Sequence, residues 1–200
     1  MTTPDAYIWQ SAWNIWQAQE NLDKLFNAFD LIECSREGLK IEYDSSDECE
    51  CEFIQPVWNA YYSVKRHKRR DARITGWITL ATQLTCNEGV EADWEFGKRA
   101  KVLVGYSPFR GGDDSWKFDV DSPNSAGYSK LGVGMATHWQ LEEENGSISW
   151  FYALPLDQMT GTAEVRRYIA EPLQNILTGN GSPEQVLNEI RGALCIPPRP

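Results

Sequence analysis

The sequence predicts an α+β protein: a long N-terminal helix packed on a mainly antiparallel sheet of about five to seven strands, with two or three C-terminal helices. Helical periodicity marks residues 4–33 and 162–194, whereas alternating, aromatic and β-branched runs fill residues 39–155. Helices and strands are segregated along the chain rather than alternating, which favours α+β over α/β. We expect one domain spanning residues 1–200, because a chain of this length can enclose a single core.

The N-terminal helix is predicted to begin at Pro4, with Thr3 as its N-cap and Asp5 at the positive end of the helix dipole. Apolar or small residues then recur every three or four positions, as on one face of a helix, to about Glu33. Gly38 marks the point where the chain leaves the helix. The residues of this stripe are Ile8, Ala12, Ile15, Leu22, Phe26 and Phe29. We expect the stripe to pack against the sheet.

Three indoles, Trp9, Trp13 and Trp16, widen the stripe near its start. Core packing explains most such stripes, but three indoles exceed what one buried stripe requires. A dimer seam or a docking helix is therefore the alternative. Trp9 and Trp13 are candidate partner-binding residues on this basis.

Strands are predicted wherever residues alternate in polarity or are rich in aromatic and β-branched types. These stretches are 40–44, 48–53, 57–64, 73–85, 100–106 and 116–120. The clearest hairpin follows, in which residues 131–141 and 148–154 flank Asn145-Gly146. This dipeptide supplies the positive φ angles that a type I′ turn needs.

The C-terminal part returns to helix. Thr162 can cap a helix that Pro172 is expected to kink or restart, and residues 178–181 form a turn. Ser182-Pro183-Glu184-Gln185 then predicts a capping box with proline at the first helical position, opening a last helix through Ile190.

Composition limits the class of protein. The 42% hydrophobic fraction and nine tryptophans argue against disorder, and the net charge of −10 opposes generic binding to polyanions or anionic membranes. Five cysteines include no Cys-x-x-Cys pair, and the N-terminus shows no signal peptide. No apolar run approaches membrane-spanning length. We expect a reduced, cytoplasmic protein without membrane contact.

Motifs for catalysis are weak. The chain lacks a complete dinucleotide fingerprint and a Gly-x-Ser-x-Gly elbow, and its two histidines, His67 and His138, stand in different segments. Acidic clusters around Asp93 and Asp113 resemble metal-dependent nuclease sites only superficially, because their spacing from a lysine does not fit. We therefore assign no catalytic residue, no metal ligand and no cofactor.

Charge segregation is the sharpest signal. Residues 44–52 carry five carboxylates and no base, whereas residues 65–73 carry six bases and one acid. Like charges stay adjacent where water, an opposite charge or a partner compensates them. Candidate partner-binding residues are therefore Glu48, Glu50 and Glu52 on an acidic strand, and Lys65, Arg66, Lys68, Arg69 and Arg70 at a basic hairpin tip. Mutual neutralisation of the two segments across paired strands is the alternative.

These patterns favour a non-catalytic macromolecule-binding protein of the inhibitor, immunity or adaptor type, acting through the acidic strand and the basic hairpin tip. A protein is the favoured partner, because the overall negative charge repels nucleic acid everywhere except at the tip. The alternatives are a nucleic-acid-contacting subunit that uses the basic hairpin and a metal-dependent nuclease with an unrecognised acidic site. The oligomeric state stays open.

Overall fold

The computed structural model describes residues 4–36, 38–46, 57–66, 73–84, 96, 99–109, 137–142 and 146–196. These residues form a long helix, a seven-stranded antiparallel sheet and a group of C-terminal helices, which confirms the predicted α+β class. The predicted strands 48–53 and 116–120 and both acidic clusters suspected of nuclease chemistry lie outside the described residues.

Helix α1 spans Pro4–Ala28 and continues as a 3₁₀ turn over Phe29–Ile32. The predicted helix 4–33 is therefore confirmed to within a residue. The tighter last turn satisfies a terminal carbonyl that an α-helix would leave open, because the Glu33 amide donates to the Asp30 carbonyl over 3.2 Å.

The strands form one sheet in the order β1-β2-β3-β4-β5-β7-β6, and each neighbouring pair is antiparallel. They are β1 (Cys34–Arg36), β2 (Leu39–Ser46), β3 (Val57–Arg66), β4 (Arg73–Gln83), β5 (Lys101–Ser107), β6 (Trp139–Glu142) and β7 (Ile148–Pro155). The antiparallel pairing of β6 with β7 confirms the predicted hairpin, and Gly146 has the expected positive φ, 78°. Asn145 and residues 131–136 of the predicted first strand lie outside the described residues.

One face of the sheet carries the main core. Side chains of alternate strand residues such as Ile41, Val64 and Leu80 meet the end of α1 and the C-terminal helices. The opposite face is also largely buried but more polar. Its buried polar residues are Asn59, Ser63, Thr79, Gln83, Lys101 and Ser149, beside a small apolar cluster that includes Leu103 and Phe151.

The C-terminal helices are α2 (Thr162–Val165), a π-helical turn (Arg166–Ala170), α3 (Glu171–Thr178) and α4 (Pro183–Glu189). The expected disturbance at Pro172 takes the form of this π turn directly before α3, where the wider hydrogen-bonding pattern accommodates a residue without an N–H. The capping box is confirmed, since Ser182 Oγ accepts from the Gln185 amide at 3.3 Å and Gln185 Oε1 accepts from the Ser182 amide at 3.0 Å.

Candidate protein-binding surface

The C-terminal half of α1 is anchored to the body of the protein. Leu22, Leu25 and Phe29 are buried, and the last two belong to the main core. Phe26 is half-buried and packs its ring against Phe29 and Trp58, with centroid separations of 6.0 and 5.8 Å. The predicted packing of the stripe is therefore present from Leu22 onwards.

The N-terminal half of α1 is exposed. Among residues 5–14, every side chain except Ala6 is exposed to solvent. Ile8 and Ala12 were expected to pack on the sheet, and this expectation is wrong. The large apolar residues exposed here are Tyr7 (62%), Ile8 (71%), Trp9 (64%), Trp13 (46%) and Trp16 (50%).

The indoles do not widen the packed stripe but lie on the opposite side of α1. At ~100° per residue, Trp9 is about half a turn from Leu22 and from Leu25. Trp9, Trp13 and Trp16 instead share a second stripe with Asp5, Glu20 and Lys24, and all six side chains are exposed. We call these six residues the outer stripe. Helix α1 thus has one face that anchors it and another that is open along its whole length.

The three indoles form a continuous aromatic surface. The rings of Trp9 and Trp13 stack with a centroid separation of 5.8 Å and an interplanar angle of 7°. The rings of Trp13 and Trp16 are 5.0 Å apart and tilted by 52°. Stacking one ring on the next limits side-chain freedom before any partner arrives, which lowers the entropic cost of binding.

At the basic hairpin, the two described candidate bases contact the protein itself. Lys65 forms an ion pair with Glu42 on β2, with 2.5 Å between Nζ and Oε2, and Lys40 forms a second ion pair with Glu42. Hydrogen bonds from Lys40 and Lys65 lower the pKa of the Glu42 carboxyl to about 2. Arg66 donates from Nη2 to the Leu177 carbonyl over 2.9 Å, at the C-terminal end of α3.

Strands β3 and β4 are antiparallel and pair up to Arg66 and Arg73, so they form the hairpin that the sequence predicted. Lys68, Arg69 and Arg70 lie outside the described residues, as do Glu48, Glu50 and Glu52. The proposed pairing between those two sets stays a prediction. The neutralising carboxylate that the structure does show is Glu42, a residue that the charge pattern did not single out.

His138 is the one described histidine. It is buried, its Nδ1 lies 3.1 Å from Thr137 Oγ1, and its Nε2 lies 2.9 Å from Gln140 Nε2. Burial lowers the pKa of the imidazole to about 4. Across the part of the chain that the structure describes, no three His, Cys, Asp or Glu side chains lie close enough to share a metal ion. His138 is therefore a neutral, hydrogen-bonded side chain within this buried region at pH 7.

Two further concave features adjoin the helices. A groove of about 920 Å³ runs beside the anchored half of α1, lined mainly by aliphatic side chains such as Leu25, Leu156 and Met159. A smaller pocket of about 400 Å³ lies between β1 and α3 and contains Arg36 and Arg166. Neither feature was predicted, because each one is assembled from segments distant in sequence.

No protein family, curated protein or solved structure matches this chain. Among the described helices, none combines the length and the apolar character needed to cross a membrane. Trp9 and Trp13 are sequence-predicted candidates, whereas Glu20 and Lys24 are not, although their spacing from the indoles places them on the same helix face.

Proposed function

We propose that this protein is a non-catalytic protein-binding module of the inhibitor or adaptor type, which contacts its partner through the outer stripe of α1. The single observation that carries the proposal is the exposure of Trp9, Trp13 and Trp16 on a helix whose other face is anchored in the core. Exposed apolar patches rimmed by polar residues mark interaction sites in soluble proteins.

The chemistry of the stripe supports protein recognition. Tryptophan is enriched among the residues that dominate binding energy at protein interfaces, since a large rigid ring buries much area at small entropic cost. The spacing of Trp9, Trp13 and Trp16 is i, i+4, i+7, the pattern by which helices dock on apolar partner surfaces. Because the core holds the C-terminal half of α1, the helix presents these rings without having to fold on binding.

The charge of the outer stripe favours a protein over a nucleic acid as the partner. The outer stripe carries two acids, Asp5 and Glu20, against one base, Lys24, and the exposed Asp23 adds a third acid, so the surface around the indoles disfavours phosphate groups. At the basic hairpin, Lys65 and Arg66 already have partners within the chain. We retain the hairpin tip and the acidic strand as a second predicted contact surface, with its own test in the Discussion.

A cytoplasmic location belongs to the same proposal. Cys34 is a half-buried free thiol, and burial raises its pKa. Free thiols persist where glutathione and thioredoxin keep them reduced.

The test compares three immobilised proteins in an extract of the source cells supplemented with a differently tagged copy of the chain. They are the parent, the variant Trp9→Ala/Trp13→Ala/Trp16→Ala, and the control Gln10→Ala/Ser11→Ala/Asn14→Ala, whose changes lie on exposed positions off the outer stripe. Quantitative mass spectrometry should find a protein that the parent and the control retain and that the indole variant loses at least tenfold. Equal retention by all three, or no specific retention by the parent, would overturn the proposal.

A further inference from the structure

A polar pocket lies at the β1 edge of the sheet, where β1 faces the π-helical turn and α3. The helical side is formed by Arg166, Ala170 and Gln174, which are four positions apart and therefore share one face. Ala170 and Gln174 are buried, whereas Arg166 and, on β1, Arg36 are exposed at the rim. The volume of about 400 Å³ is in the range of pockets that bind small molecules.

Gln174 is a buried polar residue of this pocket whose side chain has no partner in the described part of the chain. It is 8% exposed, and its carboxamide makes no hydrogen bond to another described residue. The bond that Gln174 does make uses its backbone carbonyl, which accepts from Thr178 Oγ1 over 2.7 Å. A carboxamide that is removed from water without a partner costs free energy, so its donors and its acceptor are available to a ligand in the pocket.

Charged groups of both signs line the pocket. Arg36 and Arg166 supply two guanidinium groups, and Glu33 and Glu171 supply two carboxylates. Within the described residues, the side chains of both arginines and of Glu171 make neither an ion pair nor a hydrogen bond. Glu33 is partly engaged, because its Oε1 accepts from the Tyr43 amide over 2.7 Å. The pocket therefore offers two open cations and one open anion to a ligand.

We propose that this pocket binds a free amino acid with a polar, uncharged side chain. The carboxylate of the ligand pairs with Arg36 and Arg166, since a carboxylate has about four acceptor sites and can serve both guanidinium groups. The ammonium group pairs with Glu171, and the polar side chain hydrogen-bonds to the Gln174 carboxamide. This site is separate from the outer stripe, so it adds a small-molecule ligand to the proposed protein-binding function.

The mixed charge of the lining selects a zwitterion over an anion or a cation. A phosphate or a dicarboxylate would bring two negative charges close to Glu33 and Glu171, and a diamine would bring two positive charges close to both arginines. In a free amino acid, the two charged groups are bonded to the same carbon, so both fit into one small pocket. Its net charge of zero then matches the two bases and two acids of the lining.

The experiment is isothermal titration calorimetry of the full chain with L-glutamine, L-asparagine and L-serine as probes. For ligands of about ten non-hydrogen atoms or fewer, we expect a dissociation constant of roughly 0.01–1 mM for at least one probe. The N-acetyl derivative of that probe lacks the ammonium group, and its carboxamide derivative lacks the carboxylate. Each derivative should bind about tenfold more weakly or worse, because one charged contact is lost. Sodium phosphate should not compete.

Four variants test the contacts. Arg166→Gln and Glu171→Gln change exposed side chains, and Gln174→Met keeps the length of the side chain but removes its hydrogen-bonding groups. Each should weaken binding by about fivefold or more. The control Arg167→Gln removes the same charge from the neighbouring residue outside the pocket and should bind like the parent. Circular dichroism and urea melts verify folding, and the two exposed variants decide the test if Gln174→Met does not fold.

Cys34 provides a second readout inside the same pocket. Its half-buried thiol is part of the lining, so a bound amino acid should shield it from iodoacetamide. Mass spectrometry of the tryptic peptide 25–36, in which Cys34 is the sole cysteine, measures the rate of alkylation. We expect the saturating probe to slow this rate in the parent and in Arg167→Gln.

The possible failures are distinguishable. The absence of binding by all three probes overturns the proposal. Binding that is unchanged in both Arg166→Gln and Glu171→Gln, or that leaves the alkylation of Cys34 unaltered, overturns this pocket as the site. Equal binding of the N-acetyl derivative, or displacement of the probe by phosphate, overturns the zwitterion in favour of a simple anion. None of these results affects the retention experiment with the indole variant, which tests the outer stripe alone.

Discussion

Phe26 and Phe29 lie one turn apart on α1 and differ in burial. Phe29 is 3% exposed within the core, whereas Phe26 is half-buried beside Trp58. We expect Phe29→Ala to lower the free energy of unfolding by about 3–5 kcal/mol and Phe26→Ala by about 2–3 kcal/mol, because less apolar surface returns to water at the second site. Urea melts measure both values.

Trp9→Ala is the matched control on the same helix. Its ring is 64% exposed, so its removal should change the free energy of unfolding by less than about 1 kcal/mol at concentrations where the protein is monomeric. A loss below about 1 kcal/mol for Phe26→Ala would show that this ring does not contribute to the core. A large loss for Trp9→Ala would mean that the N-terminal half of α1 is packed rather than open.

His138 gives the protein a defined dependence on pH. Burial lowers the pKa of the imidazole from 6.5 to about 4, so the unfolded chain binds a proton that the folded chain rejects. The contribution to stability is complete above pH 6.5 and is lost as the pH falls towards 4. At pH 4.5 we expect a loss of about 2 kcal/mol relative to pH 7.

The variant His138→Gln isolates this effect, because carboxylates titrate equally in both proteins. In urea melts from pH 7 to pH 4.5, the parent should lose about 2 kcal/mol more of its free energy of unfolding than the variant, whatever their difference at pH 7. Parallel curves would contradict the lowered imidazole pKa. Glu42, whose pKa is lowered by Lys40 and Lys65, does not affect the comparison, since its contribution is the same in both proteins.

At the scale of elements, α1 has two apolar faces, one buried and one exposed, so one hydrophobic stripe does not describe it. Leu22, Leu25 and Phe29 attach it to the sheet, and the indoles of the outer stripe lie on the other side. A helix as short as the open half would be only marginally stable in water by itself, so the attached half holds the open half in helical form. This division explains how an exposed aromatic surface can be rigid.

The β3–β4 hairpin is braced against α3 by Arg66. Its guanidinium donates to the Leu177 carbonyl at the C-terminal end of the helix, where the dipole favours a positive charge. We expect Arg66→Glu/Arg69→Glu/Arg70→Glu to lower the free energy of unfolding by about 1 kcal/mol or more, and Arg69→Glu/Arg70→Glu, which keeps Arg66, to lower it less. Urea melts of the two variants and the parent give the comparison.

The same two variants test the basic hairpin as a contact surface. If the bases bind a polyanion, a gel shift with duplex DNA should appear in the parent at low salt, weaken steeply with salt and disappear in Arg69→Glu/Arg70→Glu. We expect no such shift, because the net charge of −10 repels phosphate. A steep, variant-sensitive shift would transfer the function to nucleic-acid contact.

At the scale of the whole molecule, the sheet separates two environments. The core face buries aliphatic and aromatic side chains under the helices, whereas the opposite face buries polar groups that include Lys101 and Ser149. Burial of polar groups is tolerated where hydrogen bonds or ion pairs compensate their loss of water. Because the helices cover the core face, the outer stripe of α1 points away from the sheet.

Several elements could be predicted because their signals are local. The helix 4–33, the hairpin around Gly146 and the capping box of α4 each depend on residues within a few positions of one another. Strand β1 was missed because three residues are too few to show alternation. The insertion of β7 between β5 and β6 and the ion pairs of Glu42 depend on strand register, which no local pattern encodes.

The candidate surface could likewise be predicted only in part. The sequence by itself determined that α1 is helical, that its indoles recur at i, i+4, i+7, and that acids and a lysine continue their stripe, because helical spacing alone places side chains on faces. Only the tertiary structure decided which face is buried. The core covers α1 from Leu22 onwards and leaves residues 5–14 largely exposed, and burial depends on where distant segments pack.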